Sequence, residues 1–194
     1  SDTVCYPAKL THGHIESLLD QGVDFIFFPC ESYNLDEHDS MNHYNCPVVA
    51  YYPELLKANN ERLDGNNFIM PYLDLNDEKT TVRALKRALA RWKLSSKEIA
   101  KGLKEGFARL NAYYADIRKK GEEILEKAHA QGKAVVVLAG RPYHIDPEIN
   151  HGIGKLLTSL DVAVLSEDSV FEKGKQVLVN VLNQWTYHAR QIGR

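Results

Sequence analysis

A chain of 194 residues, 44% apolar and 26% charged, can bury a real core in one larger domain or two small lobes and has the balance of an ordinary globular protein. Its formal net charge of −2 lacks the basic surplus that general binding to nucleic acid or an anionic membrane requires. No apolar run approaches the roughly 20 residues that cross a bilayer, and Ser1-Asp2-Thr3-Val4 has no basic stretch ahead of an apolar one, so neither a membrane span nor a secretory signal is expected.

Pro7 to Gly22 predicts a helix, with Leu10, His14, Leu18 and Leu19 along one side and Gly22 as its stop. Residues 23–28, rich in Phe and bounded by Gly and Pro, predict a buried strand. The polar, turn-rich residues 31–45 predict a loop. Val48 to Tyr52 predicts a second strand, residues 53–60 a short helix with Pro53 in its first turn, and Phe68 to Leu73 a third strand.

From Asp77 to Gly132 the pattern turns helical. Asp77 is expected to cap a helix running to Trp92, and Ser95 or Ser96 a longer one. In the longer helix Ile99, Leu103, Phe107, Leu110, Tyr114, Ile117, Ile124 and Ala128 form one apolar stripe, read as core packing. Ala134 to Ala139 predicts a fully apolar strand ending in Gly140-Arg141-Pro142. A helix over 147–159, a strand over Val162 to Leu165 and a last helix over 175–192 follow.

Strand–helix alternation of this kind points to an α/β fold of doubly wound, Rossmann-like parallel sheets in two lobes joined by a long helical segment. The expected divisions are a first lobe carrying three cysteines over 1–76, a helical connector over 77–132, and the start of a second lobe over 133–194. Because the first lobe opens on a helix instead of a strand, the chain is expected to be a piece of a longer protein.

Cys5, Cys30 and Cys46 form no stapled framework, so a reducing cytoplasm is the expected setting. Ligands in open parallel sheets bind beyond the carboxyl ends of the strands. Cys30 closes the first strand, Cys5 stands where a preceding strand would end, and the 31–45 loop is long enough to fold Cys46 back over the same crevice. Two readings stay open on this basis: three small buried hydrophobes, or thiols converging on a metal.

Val4-Cys5-Tyr6-Pro7-Ala8-Lys9-Leu10-Thr11-His12-Gly13-His14, Phe27-Phe28-Pro29-Cys30 and Asn45-Cys46-Pro47-Val48-Val49-Ala50-Tyr51-Tyr52-Pro53-Glu54 resemble the three cysteine motifs of the 2-hydroxyacyl-CoA dehydratase/benzoyl-CoA reductase-like family. The likeness is greatest to the branch fused to, or partnered with, ATP-dependent CoA-enzyme activase domains. Gly140-Arg141-Pro142-Tyr143-His144-Ile145-Asp146-Pro147 is similar to a motif opening that branch's second lobe. The resemblance implies a 4Fe–4S cluster on Cys5, Cys30 and Cys46, with one iron left for water, a hydroxyl side chain or substrate. Thr3, Tyr6, Glu31 and Ser32 are the candidates near that iron. It also implies an ATP-hydrolysing activase as electron donor and a hard-to-reduce, acyl-CoA-like small molecule as acceptor. The sequence carries no evident CoA-binding signature, so electron transfer is a better-supported expectation than dehydration of a named substrate.

One of His12 and His14 is a candidate to donate a hydrogen bond to a cluster sulfur or a proton to substrate. The plainer alternative has His14 packed beneath the sheet and His12 solvated. Arg141 and His144 are candidates to contact substrate or cofactor, against the alternative of a capped structural turn. Lys9 is expected to pair with Glu16, His38 and His43 to be solvent-exposed, and Phe25, Phe27 and Phe28 to be core. The competing functional reading is a binding module, organised by zinc or free of metal, without catalysis.

Overall fold

The computed structural model of the chain describes residues 5–36 and 43–173. Thr3, His38 and the expected helix over 175–192 lie outside them. The described residues fall into two compact units that meet in sequence between Leu103 and Lys104.

The first unit opens with α1 (Tyr6–Asp20), which has Pro7 in its first turn, where a missing N–H costs nothing. The helix stops as expected at Gly22. With φ +67°, Gly22 lets its own N–H reach Leu19 O and that of Val23 reach Leu18 O, at 3.1 and 3.5 Å. Strand β1 (Ile26–Phe27) pairs in parallel with β2 (Phe68–Ile69). The pairing resumes in the same register at Cys30 and Tyr72, where Cys30 N–H donates to Pro71 O at 2.8 Å and Cys30 O accepts from Leu73 N–H at 3.0 Å. Pro29 and Pro71 therefore fall at positions whose missing N–H the ladder does not need.

Between the two strands the chain departs from expectation. Residues 47–59 form one helix, α2 (Pro47–Asn59), in place of a strand followed by a short helix. Cys46 holds an extended N-cap conformation, and Pro47 presets the first helical turn. The residues buried are Ala50, Tyr52, Pro53 and Leu56, a helical spacing that a strand would split between two faces. The β-branched pair Val48-Val49 favours a strand only by composition, and packing overrides it.

The core of this unit joins Ala8 and Ile15 of α1, Ile26, Tyr52 and Leu56, Leu63 and Phe68. Helix α1 therefore turns the Ala8, His12 and Ile15 side inward, and Leu10 is left 39% exposed. Phe28 packs against the core, whereas Phe25 and Phe27 do not belong to it. Phe25 lies 4.7 Å from the Trp92 ring, and the Arg91 guanidinium sits 4.1 Å from the same indole. Glu16 pairs with Arg62 at 2.7 Å, not with Lys9, which is two helical turns away on the same helix.

Helix α3 (Glu78–Ala88) begins where Asp77 accepts from Thr80 N–H at 3.1 Å. It ends short of the expected Trp92, and a tight turn over Ala90–Trp92 follows. Helix α4 (Ser96–Ala130) starts on a reciprocal cap. Ser95 Oγ accepts from Glu98 N–H at 3.2 Å, and the Glu98 carboxylate accepts from Ser95 N–H at 2.8 Å. α3 and the first turns of α4 group with the first unit, and the rest of α4 with the second. Along α4, Ile99 and Ala128 are buried, and Leu103, Phe107, Leu110, Ile117 and Ile124 half-buried, as the stripe predicts. Tyr114 alone of the stripe is exposed.

In the second unit β3 (Val135–Leu138) pairs in parallel with β4 (Ala163–Ser166), and α5 (Ile153–Ser159) lies between them in sequence. The helix expected over 147–159 is thus confined to its C-terminal half. His151 and Gly152 both adopt left-handed φ, 55° and 73°, which breaks a right-handed helix at that point. Asn150 Oδ1 then accepts from the N–H groups of Gly152 and Ile153, at 2.9 and 3.2 Å, and starts α5 afresh. The fold is α/β, with two short parallel sheets. Among the described residues no helix is long and apolar enough to cross a membrane.

Candidate functional site: three thiols on one sheet edge

Contacts between α1 and α2 keep one order along both helices. His12 Nε2 meets the Tyr52 hydroxyl at 3.0 Å. Further along, Glu16 meets Asn60 and Arg62, and Asp20 meets Arg62. The two helices therefore run parallel and begin at the same end. Cys5 is the N-cap of α1 and Cys46 the N-cap of α2, and neither side chain bonds to its helix. Serine, threonine, aspartate or asparagine would normally close such a turn. With no side-chain cap at either position, the positive ends of both helices are left without the usual polar side chain.

Cys30 reaches that edge from the sheet. It follows β1, and its own peptide continues the parallel ladder. The chain between Cys30 and Cys46 folds back on itself: Asn34 N–H donates to His43 O at 2.7 Å and Asn45 N–H to Ser32 O at 2.9 Å. In addition, Asn45 Nδ2 donates to Glu31 O at 3.0 Å. The residues next to Cys30 and next to Cys46 are thus bonded to each other. Asn45, the residue before Cys46, lies beside Glu31 and Ser32, the residues after Cys30. None of the three cysteines forms a disulfide.

The environments of the thiols differ. Cys5 and Cys46 are half-buried, and Cys30 is fully covered. Burial pushes the Cys30 thiol above its ordinary value and the Glu54 carboxylate adds to the rise; a backbone hydrogen bond at Glu54 and the Tyr72 hydroxyl oppose it. Tyr72 donates to Glu54 Oε1 at 2.6 Å, and this bond holds its phenol well above the usual range. Glu31 is raised by burial. The buried Tyr52 phenol is raised by desolvation and then by the charge of Cys5. The expected division of the two histidines is reversed: His12 is engaged between helices and His14 is exposed. His43 is half-buried beside the Tyr33 ring, 5.5 Å away.

Arg141 and His144 belong to the second unit. Arg141 N–H donates to His144 Nδ1 at 3.0 Å, and Asn150 Nδ2 to His144 O at 3.1 Å. Because Nδ1 accepts, the neutral ring carries its proton on Nε2. The imidazole accepts this bond within its own turn. The close approach is possible only over Gly140, where an added Cβ would stand 2.5 Å from Nδ1.

Tyr72 and Glu54 escaped the sequence reading. Their signal is the pair of strings Phe27-Phe28-Pro29-Cys30 and Ile69-Met70-Pro71-Tyr72. Each is apolar and closed by proline, and aligning the two prolines pairs Cys30 with Tyr72.

Three thiols on one edge are a suitable donor set for an iron–sulfur cluster, since thiolate is the ligand such clusters take and helix N-termini favour the negative charge they bring. The set is not drawn together as a single-ion site. Thiolates sharing one tetrahedral zinc stand roughly 4 Å apart, and among the described residues no three His, Cys, Asp or Glu side chains are grouped to hold one ion.

The fold and this edge define an α/β domain that carries three thiols at the starts of two parallel helices and the end of a parallel strand. Residues 1–170 match the family described as CoA enzyme activase uncharacterised domain (DUF2229), and the chain belongs to that family. No curated protein and no solved structure is similar enough to add to this assignment.

Proposed function

We propose that this domain carries a 4Fe–4S cluster on Cys5, Cys30 and Cys46. In this reading it is a redox domain related to the 2-hydroxyacyl-CoA dehydratases, placed between an ATP-hydrolysing CoA-enzyme activase domain and a hard-to-reduce acyl-CoA-like substrate. What supports the proposal is the placement of Cys5 and Cys46 as the N-caps of α1 and α2 and of Cys30 just after β1. Membership of an activase-related family supports the choice of electron donor. When bound, such a cluster takes up one low-potential electron and passes it on, and its iron without a cysteine ligand is open to an oxygen donor.

The chain's own residues then have definable roles. Cys5 and Cys46 hold the group against two helix N-termini, whose N–H groups offset negative charge. Cys30 supplies a thiol from inside the fold, where burial excludes water from one side of the site. Tyr72 and Glu54 occupy the flank of Cys30 with a closed hydrogen bond. Glu31, next to Cys30 in the chain, is half-buried, and burial holds its carboxyl above the ordinary value.

The test is iron and acid-labile sulfide analysis on protein made and reconstituted without oxygen. About four irons and four sulfides per chain, with broad visible absorbance bleached by air, are the expected result. Loss of most of that iron in each of Cys5→Ala, Cys30→Ala and Cys46→Ala would assign the ligands. Stoichiometric zinc in a colourless protein, or normal iron in all three variants, would overturn the proposal.

A further inference from the structure

A proline inside a helix has no N–H to give the carbonyl four residues earlier. In α2 the proline is Pro53, fully buried, and the carbonyl is that of Val49. The N–H that reaches it comes from outside the helix: Glu31, the residue after Cys30, donates to Val49 O at 3.4 Å. The other end of the same residue is tied as well, because Glu31 O accepts from Asn45 Nδ2 at 3.0 Å. Asn45 also gives its own N–H to Ser32 O at 2.9 Å. Asn45 immediately precedes Cys46, and Val49 lies in the first turn after it. The peptide following Cys30 is therefore held between Asn45 and Val49, on either side of Cys46 in the chain. The Val49 bond is long by ordinary standards, but the usual donor to that carbonyl, the N–H four residues on, is missing while residue 53 is proline.

We propose that Asn45 and Pro53 are positioning residues that set the spacing between Cys30 and Cys46, Asn45 by bonding the Glu31–Ser32 backbone and Pro53 by leaving the Val49 carbonyl open to Glu31. The proposal rests on the assignment of both cysteines to one metal group. Alanine at 53 supplies an N–H that takes the Val49 carbonyl back into the helix, and alanine at 45 removes the side-chain tie without touching the buried proline.

The experiment pairs amide hydrogen exchange with iron uptake on the full chain and its Pro53→Ala and Asn45→Ala variants. The Glu31 amide is expected to be protected in the native chain and to exchange at least roughly tenfold faster in Pro53→Ala. Iron uptake from limiting iron is expected to weaken roughly tenfold in both variants, as it does when groups behind a ligand are removed, while far-ultraviolet circular dichroism stays native. Asn45→Ala, which leaves the core intact, keeps the test decisive if Pro53→Ala folds poorly. An unprotected Glu31 amide in the native chain, or full iron uptake in both variants despite faster exchange, would overturn the proposal. A native chain that takes up no iron sinks the metal assignment on which the proposal rests, and the exchange data then separate that failure from failure of the backbone tie.

Discussion

Alanine at Gly140 adds a single methyl group at the crowded end of β3. On the present backbone the new Cβ lies 2.5 Å from His144 Nδ1 and 3.1 Å from His144 Cβ. Gly140 is not among the residues with left-handed φ, so the main chain itself accepts alanine and the cost arises at the ring. The imidazole must move away, and the 3.0 Å bond from Arg141 N–H goes with it. Losing that bond costs about 1 kcal/mol, and forcing the ring aside adds about 1–3 kcal/mol as overpacking. Destabilisation of about 2–4 kcal/mol follows. Gly102→Ala has the opposite sign, because nothing lies within 4 Å of the added Cβ and the α4 interior gains roughly 0.5–1 kcal/mol. Urea unfolding of the native chain, Gly140→Ala, His144→Ala and the double variant measures the coupling. With His144 already truncated the methyl group meets no ring, so Gly140→Ala should then cost under about 0.5 kcal/mol, a coupling of about 1.5–4 kcal/mol. An equal cost in both backgrounds would refute the steric reasoning.

Two further expectations follow from single side chains. The Asp77 carboxyl is held below its ordinary value, first by the Thr80 hydroxyl and then by the Thr80 N–H. A lowered folded value means that its contribution is complete above the unfolded value, near pH 4, and disappears as pH falls through the folded one. Asp77→Ala should therefore be the less stable protein at neutral pH, with the two denaturation midpoints converging below about pH 4; a gap that persists undiminished to about pH 2 would contradict the cap. Iodoacetamide should modify Cys46 at least roughly tenfold faster than Cys30, because Cys30 is covered and its thiol is raised by burial. Mass spectrometry of the labelled peptides reads the order, and equal rates would mean that the end of β1 opens readily.

Local chemistry made part of the fold legible. Gly22 and Gly132 stop their helices by taking positive φ, Asp77 caps the helix that follows it, and Ser95 with Glu98 opens α4. Each feature satisfies backbone groups a few residues away, so a short window of sequence contains both partners. The α4 stripe and the apolar strings of β3 and β4 were readable for a related reason: long or strongly biased patterns leave one periodicity standing. The three cysteines stood out as candidate ligands by residue type and motif.

The sequence by itself thus determined where α1, α3 and α4 start, where α1 and α4 stop, the α/β class, and which residues are candidates for the chemistry. Tertiary structure alone decided that Val48 to Tyr52 is helical, that His12 and not His14 faces Tyr52, and that Tyr72 and Glu54 flank Cys30. Apolar residues surround α1 on several sides, and β-branched residues open α2, so local preference is close to balanced there. Contact between α1 and α2, and the parallel register of two strands far apart in sequence, tips each balance. Free energies of packing of that size come only from partners that a local window does not contain.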